Sequence, residues 1–88
     1  MVQAELDVFE ADASTVLHDL SAGVPKDQLK QDVKALNASF EQLVRGEEHL
    51  IVDELKDGDV AAALAHAREL AAVEDVFEDI GDLLHDHG

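Results

Sequence analysis

The run LKQDVKALNASFEQL, Leu29 to Leu43, decides the fold. Its apolar residues Leu29, Val33, Leu36, Phe40 and Leu43 step by 4, 3, 4 and 3. That spacing gathers one stripe on an α-helix, whereas a strand would alternate every second residue. Upstream the same rhythm occurs in Val2, Leu6, Phe9, Ala13, Val16 and Leu20. Downstream, Val60, Ala63, Leu64, Ala67, Leu70, Val73, Phe77, Ile80 and Leu84 make a broader apolar face. The first half of that face is rich in alanine, which lets a neighbouring helix come close. The chain therefore reads as all-α, an antiparallel up-down bundle of three to four helices. Its 88 residues form a single helical-bundle domain, 1–88.

Two turns separate the seams. In Gly23-Val24-Pro25, glycine suits the left-handed residue after a helix and proline suits the first position of the next. In Asp57-Gly58-Asp59, the last aspartate can cap a new helix. A softer mark is Arg45-Gly46, where glycine inside a helix costs roughly 1 kcal/mol relative to alanine. Beyond it the apolar stripe shifts to Leu50, Ile51, Glu54 and Leu55, so the buried face rotates or the helix restarts. This gives helix 1 over about 3–22, helix 2 over 26–45, a short helix 3 over 47–57 and helix 4 over 59–86. If Gly46 does not break the chain, helices 2 and 3 fuse. The long helices would then protrude past helix 1, and their exposed seam would ask for a second copy, a homodimer through helices 2 and 4. The segment Asp7-Val8-Phe9-Glu10 echoes Asp75-Val76-Phe77-Glu78, as two acidic amphipathic helices drawn from a small alphabet can.

The charge is lopsided: 21 Asp and Glu against 6 Lys and Arg, a formal net of −15. The apolar fraction of 47% is too high for a disordered acidic tail. Such a charge argues against docking to nucleic acid or to an anionic membrane, because phosphates would be repelled. With no cysteine there is no disulfide, zinc–thiolate site or cysteine nucleophile. No basic leader precedes an apolar run, and the run Val60–Ala65 is too short to span a bilayer. The default expectation is a cytoplasmic protein, although a mature secreted domain would look the same.

The charge is also segregated. Residues 47–88 carry thirteen acids and two bases, whereas 24–46 carry four bases and three acids. Lys26, Lys30 and Lys34 share one helix face. They read either as a docking stripe or as a counterweight to the protein's own acidic helices. Asp75, Glu78, Asp79 and Asp82, with Asp86, make an acidic stripe that could meet a basic partner. The halophilic-like composition, with aspartate commoner than glutamate, also fits adaptation to high salt.

Among the five histidines, Asp82 and His85 share a face at i, i+3, with His87 beside them. That carboxylate–histidine spacing is half the ligand set of a metal-binding bundle, and the other half is missing. A solvated helix end with favourable histidines reads the same residues more simply. His49 and Asp53, at i, i+4, suit a polar helix face. The stretch Gly58-Asp59-Val60-Ala61-Ala62-Ala63-Leu64-Ala65-His66-Ala67-Arg68 resembles the histidine-phosphotransfer helix of two-component signalling. The resemblance implies His66 as phosphoacceptor. The sequence departs from that family after the histidine, where Ala67-Arg68-Glu69-Leu70 replaces the Leu-Lys-Gly pattern. The other reading of His66 is a core-edge residue with one hydrogen bond.

No serine or threonine sits in a nucleophile turn, and twenty-one carboxylates offer no distinguished acid–base pair. The chain therefore reads as a small acidic, non-catalytic interaction or regulatory module without a cofactor. Its partner would be a protein or a second copy. The alternatives are phosphotransfer at His66 and a weak His/Asp metal site.

Overall fold

The computed structural model describes residues 2–87, with the side chains of Val2 and His87 outside the described residues. Three helices occur there: α1 Val2–Ala22, α2 Lys26–Lys56 and α3 Val60–His87. The all-α bundle is as expected, but α2 runs unbroken through Gly46, so the separate helix over 47–57 is corrected. One glycine costs roughly 1 kcal/mol in a helix, too little to outweigh the burial of a continuous seam. The rhythm of Leu36, Phe40 and Leu43 continues by 4, 3 and 4 to Glu47, Leu50 and Glu54.

The turns follow from their residues. Gly23 takes φ 69° and donates to the carbonyl of Asp19 at 3.0 Å, closing α1. Pro25 stands just before α2 rather than within it, with φ −56° and ψ 148°. Gly58 takes φ 80°. Its N–H reaches Leu55 O at 3.1 Å, and the N–H of Asp59 reaches Glu54 O at 2.8 Å. This pair of bonds is a Schellman closure. Asp59 then caps α3, its Oδ1 accepting from the N–H of Ala62 at 3.2 Å. A Cβ would meet nothing within 4 Å at Gly58 or at Gly81, so backbone conformation alone decides substitution there. Gly81→Ala, inside α3, should raise stability by ~0.5–1 kcal/mol. Gly58→Ala should lower it by ~1–2 kcal/mol, because alanine is strained at positive φ. Urea unfolding of the two variants side by side checks the opposite signs.

The core is Phe9, Ala13 and Val16 from α1, Leu36 and Leu43 from α2, and Val73 and Ile80 from α3. Phe40 ties the layers together: its ring lies 5.9 Å from Phe9 and stacks on Phe77 at 4.0 Å and 7°. The echoed segments thus place one phenylalanine each, on two parallel helices, against the same ring. α2 packs against both neighbours, while α1 and α3 touch only lightly. The body is elongated, 49 × 20 × 13 Å, with a radius of gyration of 14.9 Å. A compact chain of this length would have about 12 Å. The excess reflects the α2/α3 hairpin around Gly58, which contains exposed Val52, Leu55, Val60 and Leu64. No described helix is long and apolar enough to cross a membrane.

Candidate functional site

The seam of α2 carries charge where it should carry leucine. Glu47, one helical turn after fully buried Leu43, is itself 0% exposed. Neither of its carboxylate oxygens accepts from an N–H or O–H donor among the described residues. Burial first, then the hydrogen bond its protonated form makes to Glu69 and the charge of Glu69, push its pKa up to about 7; His66 pulls it down, and Glu54 adds a last small rise. A carboxyl in this setting keeps its proton well above the ordinary range, because ionisation would place an uncompensated charge between two helices.

One helical repeat further along α2, Glu54 faces α3 and meets His66, whose Nδ1 lies 2.7 Å from Glu54 Oε1. A carboxylate only accepts, so Nδ1 donates. That bond raises the pKa of His66 above 6.5; burial opposes the rise, and the charges of Glu54, Glu47 and Glu69 add to it. Both partners are mostly sheltered, with side chains 27% and 19% exposed. Two carboxylates on α2 and a histidine and a carboxylate on α3 thus share one stretch of the α2/α3 interface.

Glu69 also faces a second feature. Where α1 and α3 diverge, they leave an open groove of about 550 Å³, lined by Leu6, Phe9, Ala13, Leu17, Val73 and Val76 among others. Glu10 and Glu69 stand on its two walls. The helices flanking it are acidic: α1 carries five acids and no base, α3 seven acids and one base. Leu17 and Val76 are 42% and 46% exposed.

The residues singled out from sequence fall as follows. Asp75, Glu78, Asp79 and Asp82 are all exposed on α3. Asp79, three residues after Val76, is on the side nearer the groove. Lys26, Lys30 and Lys34 are exposed on α2, and none of them pairs with a carboxylate among the described residues. Lys26 and Lys30 line a pocket with Asp19 at the turn between α1 and α2. Asp19 is 4% exposed. Its hydrogen bond to Asp32, followed by desolvation and charge repulsion, raises the pKa of Asp32. Asp82 and His85 are exposed near the end of α3, and the side chain of His87 lies outside the described residues. His49 lies 3.6 Å from Asp53 on an exposed face. Among the described residues no group of three or more His, Asp or Glu side chains is arranged to hold a metal ion.

Sequence reasoning found His66 but missed Glu47, its neighbour in the cluster. The signal was available. Carrying the 4, 3 rhythm of α2 past Gly46 lands on Glu47, Leu50 and Glu54 in turn. No family model matches the chain, and no curated protein or solved structure matches it.

Proposed function

We propose that this chain is a non-catalytic docking module that receives a basic amphipathic helix of another protein in the α1/α3 groove. The observation that carries the reading is an apolar groove flanked by two acidic helices. A fourth helix laid there would complete a four-helix bundle, burying Leu17 and Val76. Charge selects the occupant. A second copy of this chain would bring another −15 against the same walls. A helix with an apolar stripe and lysine or arginine edges would be attracted to them and steered in. Phosphotransfer at His66 is less well supported, because the cluster of Glu47, Glu54 and Glu69 would repel an incoming phosphoryl group.

The test uses a synthetic amphipathic peptide helix of leucine, alanine and lysine, and its analogue with glutamate in place of lysine. The lysine peptide should bind and the glutamate peptide should not. Affinity should fall steeply between low and physiological salt. The exposed-residue pair Leu17→Gln and Val76→Gln should weaken binding at least tenfold, as loss of two apolar contacts of ~1 kcal/mol each implies. Equal binding of both peptides, or binding indifferent to the pair of substitutions, would overturn the reading. The exposed hairpin residues Val52, Leu55, Val60 and Leu64 favour a second reading, self-association. Light scattering on the same samples, free and peptide-loaded, separates a homodimer from a one-to-one complex.

A further inference from the structure

The α2/α3 hairpin presents a second apolar face, on the side of the molecule away from the groove. Glu54 and His66 touch across the hairpin, so they mark the direction in which α2 and α3 face each other. At 3.6 residues per turn, Leu55 and Val52 lie about 100° and about 160° round α2 from Glu54. Val60 and Leu64 lie about 120° and about 160° round α3 from His66 in the same rotational sense, and Ala67 and Ala71 lie beside them. In an antiparallel pair of helices, an equal sense of rotation means one common side. All six residues are exposed. The α3 residues that line the groove, Ala72, Val73 and Val76, are rotated about 20–120° the other way.

This face differs from the rest of the surface in charge. From Val60 to Ala67, α3 has no Asp, Glu, Lys or Arg, whereas Glu74, Asp75, Glu78, Asp79, Asp82 and Asp86 follow. A second copy can meet the uncharged stretch without bringing acids together, provided that the two hairpins run in opposite directions. Their acidic ends then point apart. The same arrangement matches sizes. The α3 stripe is large near the turn, at Val60 and Leu64, and small behind it, at Ala67 and Ala71. Reversed on itself, it sets Val60 against Ala71 and Leu64 against Ala67, both about a centre between residues 65 and 66. Val52 on α2 lies level with that centre, since both are six to eight residues from Gly58. Reversal about Val52 brings Lys56 of one copy beside Glu48 of the other. Both are exposed, and neither has an ion-pair partner among the described residues.

We infer that this chain forms a two-fold dimer in which two hairpins pack face to face and antiparallel through Val52, Leu55, Val60 and Leu64. Each copy contributes the same patch, and each patch is the complement of the other in size and in charge. The inference rests on the self-association reading and gives it a face, a direction and a register. It leaves the α1/α3 groove of each copy open, because the two faces lie on opposite sides of α3.

The experiment uses the full chain. Sedimentation velocity over a range of concentrations should show a monomer–dimer equilibrium. Added salt should tighten it by screening the −15 on each copy, the reverse of its effect on a basic peptide. Leu64→Asp should weaken dimerisation by about tenfold or more and leave the far-ultraviolet spectrum unchanged, since Leu64 is exposed in the single chain. Glu48→Lys and Lys56→Glu should each weaken the dimer, and the two exchanged together should restore it. The chain has no cysteine, so introduced thiols report the contact directly. Under mild oxidation, Val60→Cys mixed with Ala71→Cys should cross-link roughly tenfold faster than either variant alone, because a disulfide needs its two Cα atoms close together. Two copies of position 60 are about 16 Å apart along the helix in this register. A dimer that tolerates Leu64→Asp, or in which Val60→Cys cross-links with itself as fast as with Ala71→Cys, overturns this arrangement and leaves self-association standing. A chain that stays monomeric at millimolar concentration overturns both and leaves the face to a different protein.

Discussion

Replacing Glu47 with leucine should stabilise the protein at pH 8 by about 1–3 kcal/mol, the usual cost of an unsatisfied buried polar group. In a domain of this size that moves the thermal midpoint upward by roughly 5–15 °C. The physical reason is that Glu47 sits where the apolar seam asks for leucine, 0% exposed and with no donor for either oxygen once it ionises. The effect should depend on pH, and its sign follows from linkage. The carboxyl titrates near 4.5 in the unfolded chain and near 7 in the folded one. Below pH 4.5 it is protonated in both states and the native chain carries no ionisation penalty. As pH rises toward 7 the unfolded state ionises first, so native stability is progressively lost. His66 adds to this trend. Its folded pKa is raised above 6.5, so its contribution is present below that value and is lost as pH rises through the raised one. The native protein should therefore be more stable at pH 5 than at pH 8, and Glu47→Leu should flatten the profile. Urea unfolding at both pH values measures it. A leucine variant less stable than the native chain at both would show that Glu47 has a partner in solution.

Leu43→Ala should have the opposite and larger consequence. Leu43 is 0% exposed and belongs to the core shared by α1, α2 and α3. Truncating such a leucine costs ~2–5 kcal/mol, from lost transfer energy and the cavity left behind. A domain of this length has ~4–13 kcal/mol in total, so the variant should be partly or wholly unfolded at 37 °C. Val52→Ala, at a residue 49% exposed on the same helix, should shift stability by no more than ~0.5 kcal/mol. Far-ultraviolet dichroism against temperature separates the two. Equal effects would mean that the seam is not the core.

The helices were legible because burial leaves a period in the sequence. Leu29, Val33, Leu36, Phe40 and Leu43 are all at least partly buried, as their spacing requires. The turns were legible because Gly23 and Gly58 occupy backbone conformations that other residues resist. Gly46 was read as a possible break because its local cost is visible, whereas the packing that outweighs it belongs to another part of the chain. Glu47 went unread for a related reason. A carboxylate on a seam resembles a face turning to water unless the rhythm is carried through it. The bond between Glu54 and His66 was not visible at all, since it joins residues twelve apart through the register of the hairpin. The family resemblance around His66 drew attention to a residue that bonds across the hairpin, and its partner Glu54 lies on a different helix.

The stacked rings have a practical meaning. The chain has no tryptophan and no tyrosine, and its three phenylalanines are Phe9, Phe40 and Phe77. All three belong to one column, with one member from each helix. Near-ultraviolet dichroism of this protein is therefore a signal from its centre alone. Any treatment that keeps the helices but loosens their association will erase the phenylalanine bands while leaving the far-ultraviolet spectrum in place. The molecule carries an internal gauge of tertiary order, and no label is needed to read it.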